Sequence, residues 1–509
     1  MDHAISSGER NLGYAAYQEL SARAASGFAA LGIGEGRSIA LMMRNDLPML
    51  VALQAASLIG AYAVPINWHF TGEEAGYLLA DAEARVVVVH ADLLPRLAGR
   101  IPQGTTVLAV ATPPEIQAAY GLAPEACRVP AGLRDWPAWL DRHQPRTAPP
   151  ALSRSSMIYT SGTTGRPKGV RRQPATPEQQ EASLRQALLG FGLRPGANAV
   201  MTGPMYHSAP LSYARVLLTV GGSLHLMPRF EAEPLLAEIE ARRLTHMHMV
   251  PTMFVRLLAL PDAVRRRYDL SSLQCVIHGA APCPPEVKRR MIEWWGPVIE
   301  EYYGSTEAGL VTRATSAEWL ARPGTVGRPL PGREMRILDE AGAEQLSGVE
   351  GEIFVSISGL TDFTYHKRDD ERAAIDREGL VSNGDGGYLD AEGYLYLCDR
   401  KRDMVISGGV NIYPAEIEAV LQTLPGVADC AVFGIPDAQY GEVVAAAIAQ
   451  HPGAGLSEQA IRAHLGRRLA AYKLPRLIAF HDSLPREDSG KIYKRKLRQP
   501  YWAEAGRRI

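Results

Sequence analysis

Residues 156–170 read Ser-Met-Ile-Tyr-Thr-Ser-Gly-Thr-Thr-Gly-Arg-Pro-Lys-Gly-Val, and no other stretch restricts the chain so tightly. They begin as an apolar strand and break into a loop of hydroxyls, glycines and one lysine. A glycine has no Cβ, so successive backbone N–H groups can close on an anion at Gly162 and Gly165. The hydroxyls of Ser161, Thr163 and Thr164, beside Thr160, and the ammonium of Lys168 add donors that match phosphate oxygens. The pattern predicts a phosphate-gripping loop at the end of a strand. It is not a Walker A loop, because Lys168 is followed by Gly169 and Val170 rather than by a Ser or Thr that opens a helix. Taken alone, the same residues also describe a polar surface loop.

A chain of 509 residues is too long for one ordinary core, so two or more domains are expected. Apolar residues make up 46% and charged residues 21%, the balance of a soluble globular protein. A net charge of −1 gives no reason to expect nucleic acid or an anionic membrane as partner. The five cysteines, Cys127, Cys275, Cys283, Cys398 and Cys430, are scattered and lack metal-ligand spacing, which suits reduced thiols. The first ten residues do not read as a signal peptide. No uninterrupted apolar run approaches the ~18 residues of a membrane span. The expectation is a cytoplasmic protein without integral membrane association.

Helical spacing over residues 14–31 and 47–59 alternates with strand-like runs over 38–43, 61–66 and 86–89. This alternation predicts a largely parallel sheet covered by helices. Residues 103–150 are richer in proline and read as an irregular connection. A second block follows, with a strand at 199–201, a helix at 211–220 and a strand at 223–227. Its order matches the unit at 38–66, including a glycine before the returning strand (Gly60, and Gly221 with Gly222), which suggests an internal structural repeat. From about residue 324 short alternating segments read as β-strands. Beyond residue 403 come strand–turn–helix units, with Pro414 placed to start a helix. The fold class is α/β: a large N-terminal domain of α/β subdomains plus a β-rich subdomain, and a small, mobile α+β C-terminal domain. The expected boundaries are 1–401 and 402–509.

Four further motifs stand in order behind the loop: Tyr303-Gly304-Ser305-Thr306-Glu307, Asn383-Gly384-Asp385, Asp399-Arg400-Lys401-Arg402-Asp403 and Ser489-Gly490-Lys491. With them the chain closely resembles the adenylate-forming superfamily of acyl-CoA synthetases, luciferases and peptide-synthetase adenylation domains, above all its acyl-CoA synthetase branch. The resemblance implies an AMP-forming acid–CoA ligase that uses ATP, Mg²⁺ and coenzyme A. It implies Glu307 as Mg²⁺ ligand, which suits a cation that takes one or two carboxylates plus phosphate and water. Thr306 would touch the α-phosphate, Tyr303 would lie against adenine, and Gly304 would leave the ligand room to approach. Asp385, read as lying in a glycine-rich turn, would take the ribose hydroxyls with help from Arg400; Asn383 departs from the threonine usual before this Gly-Asp pair.

Lys491 would bridge the acid and the α-phosphate, where a flexible ammonium meets developing charge; read blandly it belongs to a solvated basic tail. His207 would gate the passage between acyl pocket and thiol tunnel. Gly279, Ala280 and Ala281 would line the adenine and acyl pocket and leave room for a bulky acid. Gly408 and Gly409 would lay bare backbone along the pantetheine path, and Tyr440 and Lys473 would contact the CoA nucleotide. Arg402 marks the hinge, where the family more often has Asp or Lys. The run Arg265-Arg266-Arg267 reads as a solvated loop by default, with CoA phosphates or anionic lipid as the alternative.

The substrate expected is a fatty or other apolar acid. Two rival functions stay open at this point: a ligase that loads a carrier-protein phosphopantetheine, and a non-catalytic ATP-binding protein. A homodimer is compatible with the sequence.

Overall fold

Val86, Val87, Val88 and Val89 are all fully buried, so the strand that carries them, Ala84–His90, must be covered on both faces. In the computed structural model it is the middle strand of a parallel sheet ordered Tyr62–Pro65, Ser38–Met42, Ala84–His90, Thr106–Val110, Arg134–Asp135. The structure describes the chain except residues 1–3, 161–166, 281, 282, 284, 340, 358, 359, 398–404, 413, 486–491, 493 and 505–509.

The last two strands of this sheet come from the region expected to be irregular. Residues 103–150 supply Thr106–Val110, helix Pro114–Tyr120, strand Arg134–Asp135 and helix Trp136–Leu140. The prolines mislead because Pro114 and Pro137 occupy first-turn positions, where the missing N–H costs nothing. Trp136 and Trp139 pack on Phe28, with ring centroids 6.1 and 5.3 Å away, so the segment belongs to the core.

The internal repeat is present in the structure. Ser38–Met42 and Tyr62–Pro65 pair in parallel around helix Leu47–Leu58, as Asn198–Met201 and Ser223–Leu226 do around helix Ser208–Thr219. Each helix hands over to its returning strand through a left-handed glycine, Gly60 at φ +66° and Gly221 at φ +71°. The second sheet runs on in parallel through His246–Met249, Cys275–His278 and Ile299–Ser305. It then turns antiparallel through Gly309–Ala314, Thr325–Pro329, Leu395–Leu397, Leu380–Leu389, Gly351–Ser356 and Met335–Leu338. The β-rich part is therefore a hydrogen-bonded continuation of the second sheet, joined through the pairs Thr312–Pro329 and Arg313–Arg328. A separate three-stranded sheet, Phe363–Tyr365, Lys168–Arg172 and Ile158–Thr160, holds the strands on either side of the glycine-rich loop.

Past residue 404 a smaller unit has its own sheet and its own core. Strands Val427–Asp437 and Gly441–Gln450 pair over their full length, and helices Pro414–Leu421 and Glu458–Gly466 cover them around Ile417, Leu421, Val432, Ile448, Ile461 and Leu465. The architecture is mixed α/β, with a large N-terminal domain and a small C-terminal one. Among the described residues no helix is long and apolar enough to cross a membrane.

Candidate active site

A cavity of about 610 Å³ opens where the two large-domain sheets, the three-stranded sheet and the C-terminal domain meet. Thr160, Lys168, Tyr303, Gly304, Thr306, Glu307 and Asp385 all face it. They converge because each sits at a strand end or bulge where a sheet opens. Thr160 and Lys168 are paired residues of adjacent strands, flanking the loop 161–166 that lies outside the described residues. Side chains alternate along Lys168–Arg172, so Lys168 and Arg172 share a face. The Lys168 ammonium is buried 3.1 Å from Glu371 and 3.6 Å from the centre of the Tyr365 ring. Arg172 donates to the backbone carbonyls of Thr306 and Glu307 and pins that motif to the strand. Tyr365 in turn donates to Glu307 Oε1 at 3.1 Å. Sequence reasoning gave Arg172, Tyr365 and Glu371 no role; roughly two hundred residues separate Lys168 from its partners, so no local pattern announces them.

One sequence reading needs correcting here. Asp385 does not lie in a turn. It is part of strand Leu380–Leu389, whose pairing shifts register opposite Glu352 and Phe354, and Gly384 at φ +72° makes the kink. Asp385 Oδ2 accepts from Tyr303 Oη at 2.8 Å, which ties the expected ribose residue to the expected adenine residue. Gly304 lines the cavity, and the protein itself also requires a glycine there: a Cβ would fall 2.3 Å from the carbonyl oxygen of Gly309 on the paired strand.

Ala280, which also lines the cavity, holds a left-handed conformation, φ +65°, just after strand Cys275–His278. An L-residue in that region is strained, and such strain gathers at ligand-facing turns. Ala281 lies outside the described residues. Gly279 does not leave open room as expected; a Cβ there would lie 2.6 Å from the ring of Tyr302, which already fills that space. His207 precedes helix Ser208–Thr219 and lines the cavity beside Tyr206, ring centroids 4.4 Å apart. Burial, with a smaller contribution from His69, lowers its pKa to about 4. At neutral pH it is an uncharged ring.

The C-terminal domain reaches the cavity through the turn Gly408-Gly409, both residues at positive φ. A Cβ on Gly409 would touch Val250 of the large domain at 3.2 Å, so the turn lies against the cavity wall with bare backbone. Tyr440 supports the turn: its carbonyl accepts from Gly408 N–H at 2.9 Å, and Arg476 stacks over its ring. Lys473, expected to meet CoA, has its ammonium between Glu74 of the large domain at 2.8 Å and Glu416 of the small domain at 2.7 Å. Its residue is only 2% exposed. Asn67 donating to Tyr472 Oη and Thr71 donating to the Arg468 carbonyl complete this docking face. Arg400, Arg402 and Lys491 lie outside the described residues. The arginine run makes local pairs, Arg265 and Arg266 with Asp262 and Arg267 with Glu233, which accords with the default reading of an ordinary surface loop.

The donor set fits magnesium. Glu307 presents one carboxylate to the cavity, held by the same Tyr365 whose ring Lys168 covers, and Mg²⁺ is commonly held by one or two carboxylates plus phosphate oxygens and water. Among the described residues no group of three or more His, Cys, Asp or Glu forms a protein-only metal site.

The profile of the AMP-binding enzyme family matches residues 2–362, and that of the AMP-binding enzyme C-terminal domain matches residues 416–491. Feruloyl-CoA synthase of Amycolatopsis sp. is 32% identical over 510 aligned positions, covering 98% of this chain and 96% of that protein. Long-chain-fatty-acid–CoA ligase FadD13 of Mycobacterium tuberculosis is 31% identical, covering 96% and 93%. Among solved structures, the amide bond synthetase McbA of Marinactinospora thermotolerans superposes with a TM-score of 0.85 at 27% identity, covering 98% of this chain and 97% of that one.

Proposed function

The chain belongs to the AMP-binding enzyme family and is an AMP-forming acid–CoA ligase, and we propose that it joins an apolar acid, fatty or aryl, to the thiol of CoA. The observation that carries the reading is the convergence of Lys168, Glu307, the Tyr303–Asp385 pair and the Gly408-Gly409 turn on one cavity.

A carboxylate must be given a better leaving group before a thiol can displace its oxygen. In the first step a carboxylate oxygen attacks the α-phosphorus of ATP and pyrophosphate departs. In the second the CoA thiolate attacks the acyl carbon and AMP departs. Within this scheme Tyr303 stacks on adenine and Asp385 accepts from the ribose hydroxyls. Lys168 and the loop 160–165 hold the phosphates. Lys491 meets the charge that grows on the α-phosphate, and Thr306 donates to the same group. Glu307 would hold Mg²⁺, which supplies charge neutralisation to the phosphates when bound. Arg400 assists at the ribose. His207, a neutral ring, separates the acyl end from the thiol end, and the bare backbone of Gly408 and Gly409 lines the thiol's approach. The domain boundary falls at 401/402 with Arg402 as the hinge. The four described cysteines form no disulfide, and three of them are buried, which supports a cytoplasmic location.

An amine acceptor is the second reading, favoured by the superposition on an amide bond synthetase. Incubation with ATP and an acid panel, with CoA or with amines, tests both. AMP and thioester formation that requires CoA is the expected result. Amide without thioester, or ADP in place of AMP, would overturn it.

A further inference from the structure

Part of the cavity is walled by rings: Phe191, His248 and Tyr302 line it, and Tyr213 packs against the first two. Phe191 ends helix Pro177–Phe191, Tyr213 lies on helix Ser208–Thr219, His248 on strand His246–Met249 and Tyr302 on strand Ile299–Ser305. Their centroids form a closed circuit, with Phe191–Tyr213 at 5.4 Å, Tyr213–His248 at 5.8 Å, His248–Tyr302 at 5.7 Å and Tyr302–Phe191 at 5.8 Å. Exposures are 1, 0, 1 and 5% in that order, so Tyr302 is the member most open to the cavity.

Three observations fix Tyr302 in place. Its ring occupies the space that Gly279 vacates, since a Cβ at Gly279 would sit 2.6 Å from it. Its hydroxyl is hydrogen-bonded to His248 Nε2 at 2.9 Å, so the ring cannot swing aside without breaking a buried bond. Its neighbour in the strand, Tyr303, is tied to Asp385, so the backbone between the two is held from the nucleotide side as well. Leu310 also lines the cavity and fills the space over Gly190, where a Cβ would meet it at 2.6 Å.

We infer that Tyr302 is the specificity-determining residue that ends the acyl pocket, and that the ring wall it completes selects flat aryl acids over long, flexible alkyl chains. This rests on the ligase reading above. An aryl group can lie edge-on or offset against such a wall, whereas each methylene that cannot enter forfeits its burial.

The test compares cinnamate with dodecanoate in CoA-dependent AMP formation, using wild type, Tyr302→Ala and Tyr302→Phe. Wild type should prefer cinnamate in kcat/KM. Tyr302→Ala should raise the dodecanoate-to-cinnamate ratio about tenfold or more, the equivalent of roughly two extra buried methylenes. The KM for ATP should stay within about threefold, because Tyr303 and Asp385 are untouched. Tyr302→Phe keeps the ring and the fold but loses the bond to His248; it should move the ratio the same way by a smaller factor, and so decides the matter if the alanine variant does not fold. Dodecanoate used as well as cinnamate by wild type, or a ratio unmoved in folded variants, would overturn the inference alone. No AMP with any acid would overturn the ligase reading and the inference with it.

Discussion

The wall proposed for the nucleotide and the wall proposed for the acyl group are built on opposite principles. On the nucleotide side, position is fixed by buried charge and hydrogen bonds between strands far apart in sequence: Lys168 to Glu371, Tyr365 to Glu307, Tyr303 to Asp385. The docking of the C-terminal domain uses the same device, with Lys473 between two carboxylates. On the acyl side, position is fixed by four packed rings and the hydrogen bond between His248 and Tyr302. Directional contacts suit a ligand that never changes, here ATP. A wall of packed rings takes its shape from side-chain volume, which suits a substrate that differs from one relative to the next. The adjacent residues Tyr302 and Tyr303 place both principles on one strand.

If the contrast is right, sites fixed by charge should break abruptly. The largest effect is expected from Lys473→Met, which leaves Glu74 and Glu416 buried together without their cation. Removing one partner of a buried pair costs about 3–5 kcal/mol, to be read as a lower urea midpoint with thioester formation impaired. A variant as stable and as active as wild type would show that the domain face is held by packing instead.

Next in size is Lys491→Ala. Loss of one contact to developing charge should slow adenylate formation by roughly 10²-fold or more, measured by acid-dependent pyrophosphate release. The second half-reaction starts from a finished adenylate, so the same variant given acyl-AMP and CoA should form thioester at close to the wild-type rate. Equal loss in both assays would contradict the assignment.

That Lys168, Tyr303, Thr306, Glu307 and Asp385 face one cavity is legible in the sequence, because they stand in short contiguous motifs. Their partners are not. Tyr365 and Glu371 reach Lys168 only because strand Phe363–Tyr365 pairs with Lys168–Arg172, a contact across some two hundred residues. Asp385 was read as a turn residue because glycines surround it, yet the neighbouring strand Gly351–Ser356 supplies hydrogen bonds that keep the segment extended with a kink at Gly384. Gly279 misleads for a related reason. Gly279 is small, and only the fold shows that Tyr302, from the next strand of the sheet, takes the space beside it. In residues 103–150, proline density concealed two helices, because prolines that break a helix interior also start one.

The ring wall sharpens the comparison through pH. Burial, with a smaller contribution from His207, lowers His248 to about 4, below the ordinary histidine value. A depressed pKa means that the unfolded chain takes up a proton that the folded chain refuses. The contribution of His248 to stability is therefore complete above about pH 6.5 and falls away as pH drops toward 4. His207, at about 4 for the same main reason, acts in the same direction. Urea midpoints should hold steady from pH 8 to about 6.5 and decline below it. His248→Phe should flatten part of that decline; a profile identical to wild type would show that His248 takes no part.

The smallest effect is expected at Arg266, which is exposed and, among the described residues, ion-paired with the exposed Asp262 alone. Arg266→Ala should change stability by no more than about 0.5 kcal/mol and leave the KM for CoA unaltered. A raised KM for CoA would move this run from ordinary surface into the cofactor's path.

The claim on which everything else depends is that the acid passes through an adenylate, and the fate of the acid's own oxygen tests it most directly. The enzyme is supplied with a carboxylate labelled with ¹⁸O at both oxygens, together with ATP and CoA, and the AMP is examined by mass spectrometry. Attack on the α-phosphorus, followed by thiol displacement at the acyl carbon, leaves one labelled oxygen on AMP for each thioester made. Unlabelled AMP, or label in inorganic phosphate alongside ADP, would contradict the account.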